Sequence, residues 1–232
     1  MPAMDLIGGG LLALWAALLF GGFLLGSDPG RRRRMPRWTR LGSSAVLVAL
    51  AWYGYGLAAL PPVRGFALFI ALGMTGGFLG DLYMARVLPS TSRVLSGMTA
   101  FGLGHGAYIL AAWLRLGRLP WAFLVLAWLL AGGLVRRVVF RHAPPGILRW
   151  AALGYGLLLA TTAGMAAALA WDAPPFWIFA VGSGLFLVSD LILAGQLFGE
   201  LDFPYVDDLV WLLYGPGQAG MVLSIWAAMA PG

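Results

Sequence analysis

Read for polarity alone, the chain is a succession of long apolar stretches separated by short polar ones. Eight stretches, at roughly 6–25, 41–60, 66–88, 94–113, 119–139, 150–171, 174–198 and 209–230, approach the length at which a helix crosses a bilayer. A hydrocarbon core about 30 Å thick needs about 20 apolar helical residues. The runs are continuously apolar, whereas strands of a membrane barrel alternate in polarity over about ten residues. The pattern therefore predicts an all-α polytopic bundle of eight transmembrane helices, with residues 1–232 forming a single integral membrane domain. The first run reads as a retained helix: no basic residue precedes it and no small-x-small cleavage site follows.

Composition agrees. Only 10% of residues are charged and 61% are hydrophobic, whereas a soluble domain of this size carries about a quarter charged residues. The absence of cysteine excludes a disulfide framework, a thiolate zinc site and a cysteine nucleophile. The net charge of +6 comes from arginines that sit between apolar runs, where they set topology, so nucleic acid is not an expected partner.

Arginine placement orients the bundle. Arg31, Arg32, Arg33, Arg34, Arg37 and Arg40 fall in the first loop, Arg86 and Arg93 in the third, and Arg136, Arg137, Arg141 and Arg149 in the fifth. Only Arg64, Arg115 and Arg118 fall on the other side. The positive-inside rule makes the odd loops cytoplasmic and turns both termini outward, in a bacterial cytoplasmic membrane. The acidic seventh loop, with Glu200, Asp202, Asp207 and Asp208, does not oppose this, because carboxylates contribute little to the rule. The run Arg31–Arg34 reads as a topology anchor. Trp38, Trp52, Trp121, Trp150, Trp171 and Trp177 lie near span ends and read as an interfacial belt.

A shift of 109 residues lays the second half of the chain on the first. Asp81 falls on Asp190, Gly73 on Gly182, Ala85 on Ala194, Pro36 on Pro145, Arg40 on Arg149 and His105-Gly106 on Tyr214-Gly215. This predicts a parallel 4+4 repeat with halves of roughly 1–114 and 115–232, able to bring equivalent residues to one central site.

Two carboxyl groups stand out, because an ionised carboxylate at the bilayer centre costs about 2.5–3.5 kcal/mol on insertion scales. Asp81 and Asp190 are predicted to share one layer, about 10–12 Å from the cytoplasmic edge at about 1.5 Å per residue. Helical spacing puts His105 on one face with Tyr108, and Tyr214 on one face with Gln218. Ser189 points away from Asp190 around the helix and reads as bonded to its own backbone. Gly73, Gly77 and Gly80 form a small-residue stripe ahead of Asp81, and Gly102 and Gly106 flank His105; both predict close helix packing.

Gly80-Asp81, the segment Gly104-His105-Gly106-Ala107-Tyr108, Ser189-Asp190 and Tyr214 through Gln218 occur in an order and spacing that resemble the YhhN family of polytopic proteins. Animal members of that family are lysoplasmalogenases. The resemblance implies hydrolysis of the vinyl ether bond of a lysoplasmalogen to a fatty aldehyde and a glycerophosphoamine, without cofactor or metal. Asp81 and Asp190 would be catalytic, one as general acid and the other as the ionised partner that stabilises the cation and activates water; either order is open. His105 would assist the water or hold the phosphate, and Tyr214 would orient a carboxylate. Tyr108, Tyr214, Gln218, Arg86 and Arg93 are the candidate substrate-binding residues, with Arg86 or Arg93 favoured at the mouth of the cavity for a phosphorylated headgroup. Expected partners are a lysophospholipid substrate and membrane lipids.

Two other readings were open to the sequence. A zinc hydrolase of ceramidase type needs several histidines, and only His105 and His142 are present, with His142 in an arginine-rich loop. A proton-coupled or lipid transporter would also carry repeats and membrane carboxylates, but Pro216 is the one proline away from the loops.

Overall fold

The computed structural model describes residues 4–27, 33–140, 146–199 and 201–230. Among these there are eight long α-helices and no strand: α1 (Leu6–Leu25), α2 (Arg37–Leu57), α3 (Pro61–Met84), α4 (Arg93–Leu116), α5 (Trp121–Val135), α6 (Ile147–Asp172), α7 (Trp177–Phe198) and α8 (Val206–Met229). Arg31, Arg32, Arg141, His142, Pro145 and Glu200 lie outside the described residues.

Local chemistry accounts for the helix ends. Asp5 caps α1 by accepting the Gly8 amide at 2.9 Å, and Ser92 caps α4 through the Leu95 amide at 3.4 Å. Proline opens α3, where its missing N–H is no loss, and Gly117 closes α4 in the left-handed conformation, φ 63°. A π-helical turn, Arg136–Phe140, follows α5, and a 3₁₀ turn, Pro174–Phe176, leads into α7. Pro216 lies inside α8 without interrupting it.

Among the described residues seven helical spans are long and apolar enough to cross a membrane, α5 once its π-helical continuation to Val138 is included; α2 is the exception. Arg37, Thr39, Arg40, Ser43 and Ser44 in its first two turns lower its hydropathy, and three of them are buried. Leucines on α1 and α5, such as Leu24, Leu25, Leu129 and Leu130, are exposed on the outside of the bundle. Apolar surface on this scale belongs in lipid, and the chain is an integral membrane protein. All six belt tryptophans are exposed, as the sequence predicts.

The interior is built on two helix pairs, α3 with α4 and α7 with α8, which make the most extensive contacts; α2 and α8 join them across the middle. Backbones approach equally closely in both pairs: a Cβ on Gly182 of α7 would stand 2.7 Å from the Gly217 carbonyl oxygen of α8, and one on Gly104 of α4 2.7 Å from the Gly73 carbonyl oxygen of α3. In α4 it is Gly104, not the predicted Gly102 and Gly106, that meets α3; a Cβ on Gly106 would touch nothing, and one on Gly102 would make only ordinary contact with Leu158.

Polar contacts sort the helix ends into two groups. Arg118 pairs with Asp172 at 2.7 Å and joins the fourth loop to the sixth, Arg64 stacks over Tyr55 across the second, and Tyr53 donates to Asp5 at the N-terminal end of α1. The odd loops gather at the opposite end. There Asp208, fully buried, accepts the main-chain amides of Arg34 at 2.5 Å and Met35 at 3.0 Å, so the first loop is fastened to the start of α8.

Candidate active site

At the odd-loop end the bundle opens into a cavity of about 820 Å³. Asp81 and Asp190 both line it, with Tyr214 on the same wall. Arg33, Arg37, Arg40, Arg86 and Arg93 border it, so guanidinium groups outnumber carboxylates even when Asp207 is counted. The predicted pair Arg86 and Arg93 is thus present, and three arginines of the first loop and α2 join it.

The two carboxyl groups stand at different distances from the ends of their helices. The sequence carries the third span on to residue 88, but α3 stops at Met84, so Asp81 lies in its last turn, whereas Asp190 lies about two turns before the end of α7 at Phe198. The early stop of α3 comes from Arg86, which takes a left-handed conformation, φ 57°, while the Val87 amide turns back to the Leu82 carbonyl at 2.9 Å. An arginine in that region is strained, and the strain places a guanidinium at the cavity rim.

Each carboxyl is held by hydroxyl donors from other helices. Ser44 of α2 donates to Asp81 at 2.6 Å, and the Tyr214 hydroxyl of α8 also bonds Asp81. Gln218 donates its amide to the Tyr214 oxygen at 2.5 Å, and its carbonyl lies 3.2 Å from the Ser44 hydroxyl, so Asp81, Ser44, Gln218 and Tyr214 cluster as one polar group whose single Ser44 proton goes to the nearer acceptor, Asp81. Tyr155 of α6 donates to Asp190 at 2.5 Å. Ser189 bonds the Phe186 carbonyl at 2.7 Å, its own backbone as predicted. Such hydroxyl donors stabilise a carboxylate and fix its rotamer.

Not every predicted residue faces the cavity. His105 is buried behind it, with Nδ1 3.0 Å from the Thr162 hydroxyl and its ring edge-on to Phe186 at 4.6 Å. Thr162 also reaches the Leu158 carbonyl at 3.2 Å; a hydroxyl whose one proton goes there accepts from Nδ1–H, which leaves Nε2 buried without a partner. Tyr108 is buried against Gly73, and Gln218 acts through Tyr214 and Ser44. Two of the stripe residues face the site: a Cβ on Gly80 would stand 2.7 Å from the Phe101 ring, which lines the cavity, and one on Gly77 3.1 Å from the Gln218 amide nitrogen.

Sequence reasoning passed over Ser44, Tyr155 and Arg40. Ser44 and Tyr155 are hydroxyls in apolar spans that no regular spacing links to either aspartate, and Arg40 reads from sequence as a topology charge. In the structure Arg40 stacks over Trp211 with its centre 5.4 Å from the ring, and its Nε is buried with no hydrogen-bond partner. Arg34, by contrast, does not serve the cavity. Its guanidinium bonds the Gly26 and Leu24 carbonyls, both at 3.2 Å, and closes the end of α1.

An apolar interior with two hydroxyl-bonded carboxyl groups and a cationic rim is suited to an anionic amphiphile and to proton transfer. The YhhN family model matches residues 37–225, from the start of α2 to late α8, and so takes in both aspartates and all the cavity arginines except Arg33. No curated protein and no solved structure matches the chain.

Proposed function

The chain belongs to the YhhN family, and from that premise we propose that it is a membrane-embedded hydrolase resembling lysoplasmalogenase, cleaving the vinyl ether bond of a single-chain alkenyl phospholipid. The observation that carries the reading is that Asp81 and Asp190 line one arginine-rimmed cavity.

A vinyl ether is hydrolysed by protonation at the carbon beta to oxygen, which gives an oxocarbenium ion. Water adds to that ion, and the resulting hemiacetal collapses to an aldehyde and an alcohol. Two carboxyl groups serve this sequence as they serve glycoside hydrolysis: one donates the proton, and the other, ionised, stabilises the cation and accepts a proton from water. Ser44, Tyr214 and Tyr155 hold the carboxyl oxygens in place, so little reorganisation is needed as charge develops. Arg86, Arg93 and Arg40 are the proposed ligands of the phosphate. His105 is assigned a supporting part, holding Phe186 and Thr162 behind the wall, in place of the water-activating role that the resemblance suggests.

The parallel 4+4 duplication is part of this proposal. The pairing of α3 with α4 and of α7 with α8, and the packing of α1 on α2 and α5 on α6, support it. The arginine-rich end is proposed to face the cytoplasm.

The test is aldehyde release by the purified protein from a 1-alkenyl lysophospholipid, with the saturated 1-alkyl ether as the inert control. Asp81→Asn and Asp190→Asn are each expected to abolish release while the protein stays folded, and deuterated solvent is expected to slow it if proton transfer to carbon limits the rate. Release that persists in the double variant would overturn the mechanism.

A further inference from the structure

A second space adjoins the arginine-rimmed cavity. It is a narrow crevice of about 70 Å³ bounded by α4, α5 with its π-helical turn, α6 and α7, and its walls are hydrocarbon: Met98, Val135, Ala152, Leu159, Leu187 and Ala194 among them. Phe101, Leu193 and Leu197 border both spaces, so the two lie side by side. Asp190 also borders both, whereas Asp81 borders only the cavity. Tyr155, the donor to Asp190, stands on the crevice side. One carboxyl thus sits at the seam between an apolar slot and a cationic chamber.

We propose that the crevice holds the hydrocarbon chain of a single-chain lipid whose glycerophosphate lies in the arginine-rimmed cavity, which sets the first chain carbons against Asp190. The proposal rests on the hydrolase reading for its chemistry but not for its binding geometry. An amphiphile needs an apolar space and a cationic space that meet, and its chain joins its glycerol where they meet. The crevice is too narrow for two chains side by side, whereas the cavity is roomy and polar.

This register divides the work between the aspartates. In an alkenyl ether the carbon that takes the proton lies on the chain side of the oxygen, hence beside Asp190. The Asp190 O–H bond breaks and its proton forms a C–H bond with that carbon, using the π pair of the double bond. An oxygen lone pair completes the oxocarbenium ion. Water from the cavity forms the new C–O bond and gives a proton to Asp81. The hemiacetal then expels the glycerol oxygen, which takes the hemiacetal hydroxyl proton. One water is consumed, nothing is oxidised or reduced, and the carboxyls exchange their proton through the open cavity.

The test measures binding of saturated 1-alkyl lysophosphoethanolamines of increasing chain length to the full-length protein in nanodiscs. These ethers are not cleaved, so the measurement stands apart from catalysis. Affinity is expected to rise about fourfold per methylene until the crevice is filled. Ala194→Phe from α7 and Val138→Trp from the π-helical turn each fill the crevice. Either variant should lower long-chain affinity at least tenfold and leave the affinity for glycerophosphoethanolamine, which has no chain, unchanged. The same lipid with a diazirine on its first chain carbons should label Asp190 and not Asp81. Unchanged chain-length dependence in both folded variants, an equal loss for the chainless compound, or labelling of Asp81 would overturn the proposal. If the wild type binds in this way yet releases no aldehyde, the hydrolase reading fails and the chain site stands.

Discussion

Tyr155 of α6 donates its hydroxyl to Asp190 of α7 at 2.5 Å, and no spacing rule in the sequence connects the two. The bond joins two helices at the edge of the cavity and fixes which carboxyl oxygen remains free. Tyr155→Phe keeps the ring and removes the donor. As Asp190 gives up its proton the Tyr155 contact becomes a hydrogen bond to a charged group, which contributes about 1.5–3 kcal/mol, so turnover is expected to fall roughly 10- to 100-fold with little change in KM. Steady-state aldehyde release checks this. A fall in substrate affinity alone would assign Tyr155 to binding.

Arg86 separates charge from strain. Arg86→Gly removes the guanidinium and relieves a left-handed conformation that costs an L-residue about 1–2 kcal/mol. The variant should melt at or above the wild-type temperature yet bind the lysophospholipid more weakly. Arg40→Gln, at a more enclosed guanidinium, should weaken binding further. Thermal melts and lipid titrations on the same preparations decide it, and unchanged affinity in the double variant would remove the arginine rim from the binding site.

Asp208 fastens the first loop to α8 by accepting two main-chain amides. Asp208→Ala leaves both without that acceptor in a buried place, at about 1–3 kcal/mol each. The expected results are faster proteolysis near residue 34 and weaker lipid binding, because Arg33, Arg37 and Arg40 lose their support. A variant with wild-type proteolysis would show that the loop is held by other contacts.

Gly182 admits no side chain, since its Cβ would meet main-chain atoms of Gly217 and Gly220 that have no rotamer to change. Gly182→Val should destabilise the protein by about 1–3 kcal/mol, through separation of α7 from α8. Gly106→Val, at a position where a Cβ touches nothing, is the control. Resistance to detergent-induced unfolding compares the two.

At the opposite end, the Tyr53 hydroxyl, and after it the Gly8 amide, hold the Asp5 carboxyl below the usual carboxylate range. A lowered folded-state pKa contributes stability that is complete above the unfolded value of about 4 and is lost as pH falls through the folded value. Tyr53→Phe should therefore weaken the α1–α2 contact at neutral pH and make progressively less difference in acid. A difference that grows on acidification would contradict this sign.

The sequence by itself determined the helices, the two ends of the bundle and the two aspartates. Apolar runs near bilayer length leave the backbone no alternative to helix in lipid, and a carboxyl within such a run is conspicuous because it is costly there. The run at 6–25 matches α1 at both ends, and Arg86 and Arg93 were legible as cavity arginines because they follow the Asp81 span. Tertiary structure decided the rest. Hydropathy does not register where a helix stops for conformational reasons, so the left-handed turn at Arg86 that ends α3 at Met84 and leaves Asp81 in its last turn was not visible. Nor does periodicity say which helix a polar tip meets. Tyr155 came to Asp190, Ser44 to Asp81, and His105 turned to Thr162 behind the wall, because those partners are fixed by packing between segments far apart in the chain.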